Sequence, residues 1–172
     1  MATVTPNNNW PVPTSTDFVK DGATAIESLG DAIDASVGTG LLAWTSWAPT
    51  LSGGWLNGNG TWTAVYSQVG KVVNVYGLFT VGTTTTKGLG MTVSLPVTGK
   101  ASRLNSVFPI RSNQGAGSSL LGRMTSTTSF TVEAQDASGT YVGGGVAING
   151  ASVPQAWVTG QTISFLFTYE AA

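Results

Sequence analysis

The spacing of apolar residues changes period near Gly38–Gly40, and that change constrains the fold more than any other feature of the sequence. Before it, Val19, Ile26 and Ile33 recur every seven residues, with Gly22, Leu29 and Ser36 three positions on, which writes an a/d seam over about three heptads. After it the period falls to two. In residues 162–170, Ile163, Phe165, Phe167 and Tyr169 alternate with Thr162, Ser164, Thr168 and Glu170, and only Leu166 interrupts. The chain must therefore combine one narrow-striped helix with strands that bury one face.

Further period-two runs span 44–50, 61–69, 71–81, 91–95, 106–111, 119–124, 129–135 and 140–148. Turn chemistry separates them: Asn57-Gly58-Asn59-Gly60, Val69-Gly70-Lys71, Asn113-Gln114-Gly115 and Asn149-Gly150 all pair residues that tolerate left-handed backbone. Charged residues make up only 9% of the chain, so solubility rests on Thr, Ser, Asn, Gln and backbone, a composition suited to strands and tight turns. Six Trp, six Phe and four Tyr supply more apolar area than a disordered chain carries. The expected fold is mainly β: an antiparallel β-sandwich, jelly-roll-like, over residues 39–172, preceded by an extended attachment arm over 1–14 and a short coiled-coil oligomerisation helix over 15–38.

A cap signal at Ser15-Thr16-Asp17 opens the helix. Gly22 and Gly30 each lower its intrinsic propensity by roughly 1 kcal/mol, so the stripe needs a partner surface. Self-association through Val19, Gly22, Ile26, Leu29 and Ile33 is favoured over packing on the β head. In the arm, Pro11 and Pro13 hold their neighbours extended, and Trp10 and Val12 need cover. Docking on a partner subunit is favoured there over folding back on the chain's own head.

The chemistry available is narrow. There is no histidine and no cysteine, which removes the commonest general base, the commonest metal ligand and the thiolate nucleophile. No catalytic, metal or cofactor site is expected, and the chain is read as non-enzymatic. A glycosidase pair would have to come from Glu133, Asp136 and Glu170, and Glu133 and Glu170 fall at outward positions of their strands. Gly143-Gly144-Gly145 lacks the Lys-Ser/Thr of a phosphate loop and reads as flat strand or bulge. A net charge of −1 gives no footprint for nucleic acid. No apolar run long enough for a membrane span is present, and the start carries no secretory signal, so synthesis in the cytoplasm is expected. Five of the eight acids precede Gly38 with only Lys20 opposing them, while six cations face three acids in the head; scattered solvated charge is the favoured reading, attraction to an anionic cell envelope the other. Trp55, flanked by Gly53-Gly54 and Asn57-Gly58, is the candidate for an exposed tip that contacts a ligand such as host cell-wall glycan, with packing as the alternative. Trp44 and Trp62 are assigned to the core or to a subunit interface.

Two stretches carry a family resemblance. Asn9-Trp10-Pro11-Val12-Pro13-Thr14-Ser15-Thr16-Asp17-Phe18-Val19-Lys20-Asp21-Gly22-Ala23, continuing through Ile26-Glu27-Ser28-Leu29-Gly30-Asp31-Ala32-Ile33-Asp34, resembles the N-terminal attachment segment of minor tail and fibre proteins of actinobacterial phages. Trp44-Thr45-Ser46-Trp47-Ala48-Pro49-Thr50-Leu51, with Gly58-Asn59-Gly60-Thr61 and Tyr66 to Val73, resembles the β head of the same proteins. The resemblance covers roughly the first half of the chain. It implies a homotrimer on the virion surface, anchored to other virion proteins through Trp10, Pro11, Val12, Pro13 and Phe18, with heads outward. Lacking a collagen-like or repetitive shaft, such a chain suits a tail-tip protein or a capsid decoration protein.

Overall fold

The protein is seen here as a computed structural model that describes residues 3–6, 9–12, 14, 18–40, 43–114, 119–135, 145–148, 150 and 153–172. It is mainly β, and its contacts divide into two compact units, Met1–Ala43 and Trp44–Ala172.

In the first unit, β1 (Thr3–Val4) pairs antiparallel with β2 (Pro11–Val12), and a 3-10 turn at Val19–Asp21 leads into α1 (Gly22–Gly40). The cap residues at 15–17 lie outside the described residues. The arm is thus not a free extended segment: β2 packs on α1, and the Trp10 Nε1 donates to Ser36 Oγ at 3.0 Å. Half-buried positions on α1 are Gly22, Ala25, Leu29, Ala32 and Ile33, which keep the three-and-four spacing of one helix face. Ile26 falls off that stripe and is 66% exposed. Gly22, Leu29 and Ile33 of the seam are half-buried, and the segment packed on α1 is a hairpin of the same chain, a partner that sequence reasoning overlooked.

The second unit is built from β3 (Thr45–Ser46), β4 (Leu51–Ser52), β5 (Trp55–Leu56), β6 (Thr61–Val69), β7 (Val72–Thr80), β8 (Thr86–Lys87), β9 (Met91–Ser94), β10 (Val107–Ser112), β11 (Ser119–Met124), β12 (Ser129–Gln135), β13 (Gly145–Ala147) and β14 (Thr162–Glu170). Expected runs and observed strands coincide at β6, β11, β12 and β14. Of the run expected over 140–148, residues 140–144 lie outside the described residues and 145–147 form β13. The sheet order is β3-β6-β7-β14-β10-β11-β12-β9-β4, all antiparallel, with β13 continuing the β12 edge that β9 begins. The ladder is continuous from edge to edge.

That sheet cannot be flat. Its outermost strands, β3 and β4, are joined by only Trp47–Thr50, which span at most roughly 18 Å even when extended. Laid flat, the strands between them would hold those edges roughly 38 Å apart. The sheet therefore curls into a half-barrel. The link stays bonded to both edges, with Trp47 N–H donating to Ala64 C=O and Ser94 N–H to Thr50 C=O.

Inside the curl lies one apolar core. Phe108, Phe130, Phe165 and Phe167 come from three strands and pack ring on ring, the closest pair being Phe108 and Phe167, stacked at 3.8 Å and 12°. Two strand glycines make room for these rings. A Cβ at Gly122 would sit 2.2 Å from the Phe108 ring, and one at Gly77 2.3 Å from Phe165. Burial along β14 alternates as the sequence pattern demands, with Ile163, Phe165, Phe167 and Tyr169 inside.

Candidate functional site

Trp55 is fully buried, which corrects the expectation of an exposed, ligand-contacting tip. The flanking glycines are the physical reason. Gly53 and Gly54 adopt φ of 73° and 98°, and a side chain at Gly54 would strike the Leu89 carbonyl at 2.7 Å. They let the chain turn tightly inward, so that the indole meets Trp157 edge to face at 5.6 Å. The same turn pairs β5 with β8, and the Lys87 ammonium donates to the Trp157 carbonyl at 2.9 Å. Trp44 is 53% exposed and so is not part of the head's core, whereas Trp62 packs against it, 4.8 Å from Phe79.

Of the attachment residues, Trp10, Pro11 and Val12 are half-buried against their own unit, Phe18 is 71% exposed, and Pro13 lies outside the described residues. Of the oligomerisation residues, Gly22, Leu29 and Ile33 are half-buried and Ile26 is exposed; the Val19 side chain lies outside the described ones.

The two carboxylates expected to face outward on strands do so, and both are occupied by cations. Arg123 Nε and Nη2 donate to one oxygen of Glu133 at 3.0 and 2.9 Å, a diagonal pair across β11 and β12. Glu170 accepts from the Lys100 ammonium on one oxygen and from Arg103 Nε at 2.8 Å on the other. Those hydrogen bonds hold the Glu170 carboxyl below its ordinary value of 4.5. A carboxyl so held stays ionised at neutral pH and has no proton to give as a general acid. Asp136 lies outside the described residues, as do Gly143 and Gly144; Gly145 is in β13. Among the described residues no cluster of acids could hold a metal ion, and no helix is long and apolar enough to cross a membrane.

The head's charges are not all scattered. Lys71, Lys100, Arg103 and Glu170 stand around the mouth of a pocket of about 550 Å³ between β10 and the ends of β7 and β14. Its origin is local. The β10–β14 ladder runs only from Ile110 to Ser112, because Pro109 has no N–H to return to the opposite strand. Continued past Pro109, the register would set Val107 opposite Thr168, and no ladder pair forms there. The gap lets the outer surface reach inward-facing Phe108, Met124 and Phe167, while Tyr169 closes one side. Tyr169 is fixed by Val97: its hydroxyl donates to the Val97 carbonyl at 2.6 Å and accepts from the Val97 N–H at 3.1 Å. Burial pushes its pKa up to about 12, the Val97 hydrogen bond working against that rise.

Sequence reasoning missed this pocket because its rim comes from positions far apart in the chain. The usable signal was Pro109 inside an otherwise regular strand, which marks an interrupted ladder. Compared with protein-family models, curated proteins and solved structures, the chain finds no match.

Proposed function

We propose that this chain is a non-enzymatic structural protein on the surface of a bacteriophage particle, a homotrimer whose N-terminal unit joins it to other virion proteins and whose β head is displayed outward. The observation that carries the reading is the surface of the small N-terminal unit. Val4, Phe18 and Ile26 are 57%, 71% and 66% exposed on a unit of some forty residues, a size that seldom sustains a stable core without further burial. Apolar groups left outside on so small a unit call for a protein partner. The resemblance of residues 9–34, 44–51, 58–61 and 66–73 to phage tail and fibre proteins gives that partner its identity. In this reading α1 winds with its copies into a short coiled coil through Ile26 and its neighbours, and the curled sheet is a jelly-roll-like sandwich whose halves close on the phenylalanine cluster. The ion-paired state of Glu133 and Glu170, in a chain without His or Cys, supports a role without catalysis.

Sedimentation of the full chain is expected to give a trimer at micromolar concentration. Ile26→Asp should release monomers while leaving the near-ultraviolet dichroism of the head intact, since one charge forced into an apolar interface outweighs the marginal energy of a three-heptad seam. A monomeric wild-type chain would remove the assembly argument. Labelled antibody on intact particles then separates a tail fibre or minor tail protein from the second placement, a capsid decoration protein that stabilises the shell. Label on neither rules out the virion reading. Burial of Trp55 withdraws the reason for giving that residue to a host glycan.

A further inference from the structure

The pocket beyond Pro109 combines core aromatic rings with charged side chains in one lining. Its volume, about 550 Å³, falls in the range of roughly 300–1,000 Å³ that small-ligand sites occupy. The walls are apolar, formed by Phe108, Phe167 and Met124. The charged groups are three cations and one carboxylate, and Glu170 offsets only one of the three. Lys71 makes no ion pair among the described residues, and Arg103 uses Nε for Glu170, leaving its terminal nitrogens free to donate elsewhere. A neutral apolar guest would leave these charges unanswered, and a cationic one would meet repulsion.

We propose that this pocket binds an anionic amphiphile: a carboxylate or phosphate on a compact aromatic or branched apolar body, with the body against Phe108 and Phe167 and the acid held by Lys71 and Arg103. Two sources offer that chemistry, a free small molecule and an acidic-aromatic segment of a second copy such as Asp17-Phe18, whose ring is 71% exposed. The proposal stands independently of any place on a virion.

Three probes of one shape and different charge test it: naphthoate, naphthylmethanol and naphthylmethylamine, titrated into the full chain and followed by amide chemical shifts. Naphthoate is expected to move Arg103, Val107 and Thr168 and to bind at least roughly tenfold tighter than the alcohol, as a charge-assisted contact provides. The amine should not bind. Lys71→Ala and Arg103→Ala are expected to weaken naphthoate and leave the alcohol unchanged. Val107→Trp, at a half-exposed position on the mouth, should block all three. Equal affinity for the three probes, shifts confined to other parts of the molecule, or no binding at millimolar naphthoate would each overturn the proposal. Phe18→Ala separates the sources: tighter naphthoate binding by the variant assigns the pocket to the neighbouring segment, which no longer competes, and unchanged affinity assigns it to a free ligand.

Discussion

Tyr169 shows how one buried hydroxyl ties stability to pH. In the unfolded chain its proton leaves near the ordinary value of 10.0, and in the folded protein near 12. Below 10 both states keep the proton and the contribution is whole. Between 10 and 12 only the folded state keeps it, so stability falls with rising pH, by roughly 2–3 kcal/mol in total. In urea unfolding, wild type is expected to exceed Tyr169→Phe by about 1 kcal/mol below pH 10, where the phenol's bonds to Val97 help, and to fall below the variant before pH 12, because the loss on ionisation is larger than that advantage. Glu170 acts in the opposite range: its contribution is present above 4.5 and is lost as pH falls through its lowered folded value. Trp55 supplies packing alone. Trp55→Ala is expected to cost about 3–5 kcal/mol in equilibrium unfolding.

At the scale of elements, Pro109 decides where β10 and β14 part. Replacing it with alanine restores one donor opposite Leu166. The added hydrogen bond is worth about 1 kcal/mol and the freed backbone of the unfolded chain costs about as much, so Pro109→Ala should leave overall stability nearly unchanged. Its signature is local: the alanine amide is expected to be protected in hydrogen exchange, and the pocket to narrow. An amide that exchanges at the rate of an exposed loop would mean that the strands diverge for another reason. Helix α1 behaves differently from β10. Its stripe is half-covered by a hairpin of its own chain, and the apolar positions off that stripe, Ile26 foremost, are those available to a partner.

At the scale of the whole molecule, the chain divides into two units, and among the described residues every buried hydrophobic side chain lies in Trp44–Ala172. A chain beginning at Trp44 is therefore expected to unfold cooperatively, with a midpoint close to that of the full chain, and to sediment as a monomer. Loss of cooperative unfolding on this truncation would show that the head depends on the N-terminal unit. The curl of the sheet belongs to the same scale, since it follows from the short link between β3 and β4, which no single strand specifies.

The period-two pattern determined the strands themselves: β6, β11, β12 and β14 begin and end where alternation begins and ends, because a strand with one wet face must alternate. Glycine and asparagine placed the turns for the same local reason. Tertiary structure decided everything that depends on which side of a turn meets the core. Trp55 between glycines reads as an exposed tip in sequence, yet those glycines permit the inward turn that buries it. Nor could the pattern show that Lys71, Lys100, Arg103 and Glu170 share one mouth, since strand order brings the start of β7 beside the end of β14 across nearly a hundred residues. Local spacing encodes periodicity and backbone freedom; partnership between distant strands is settled only when the curled sheet closes over its aromatic core.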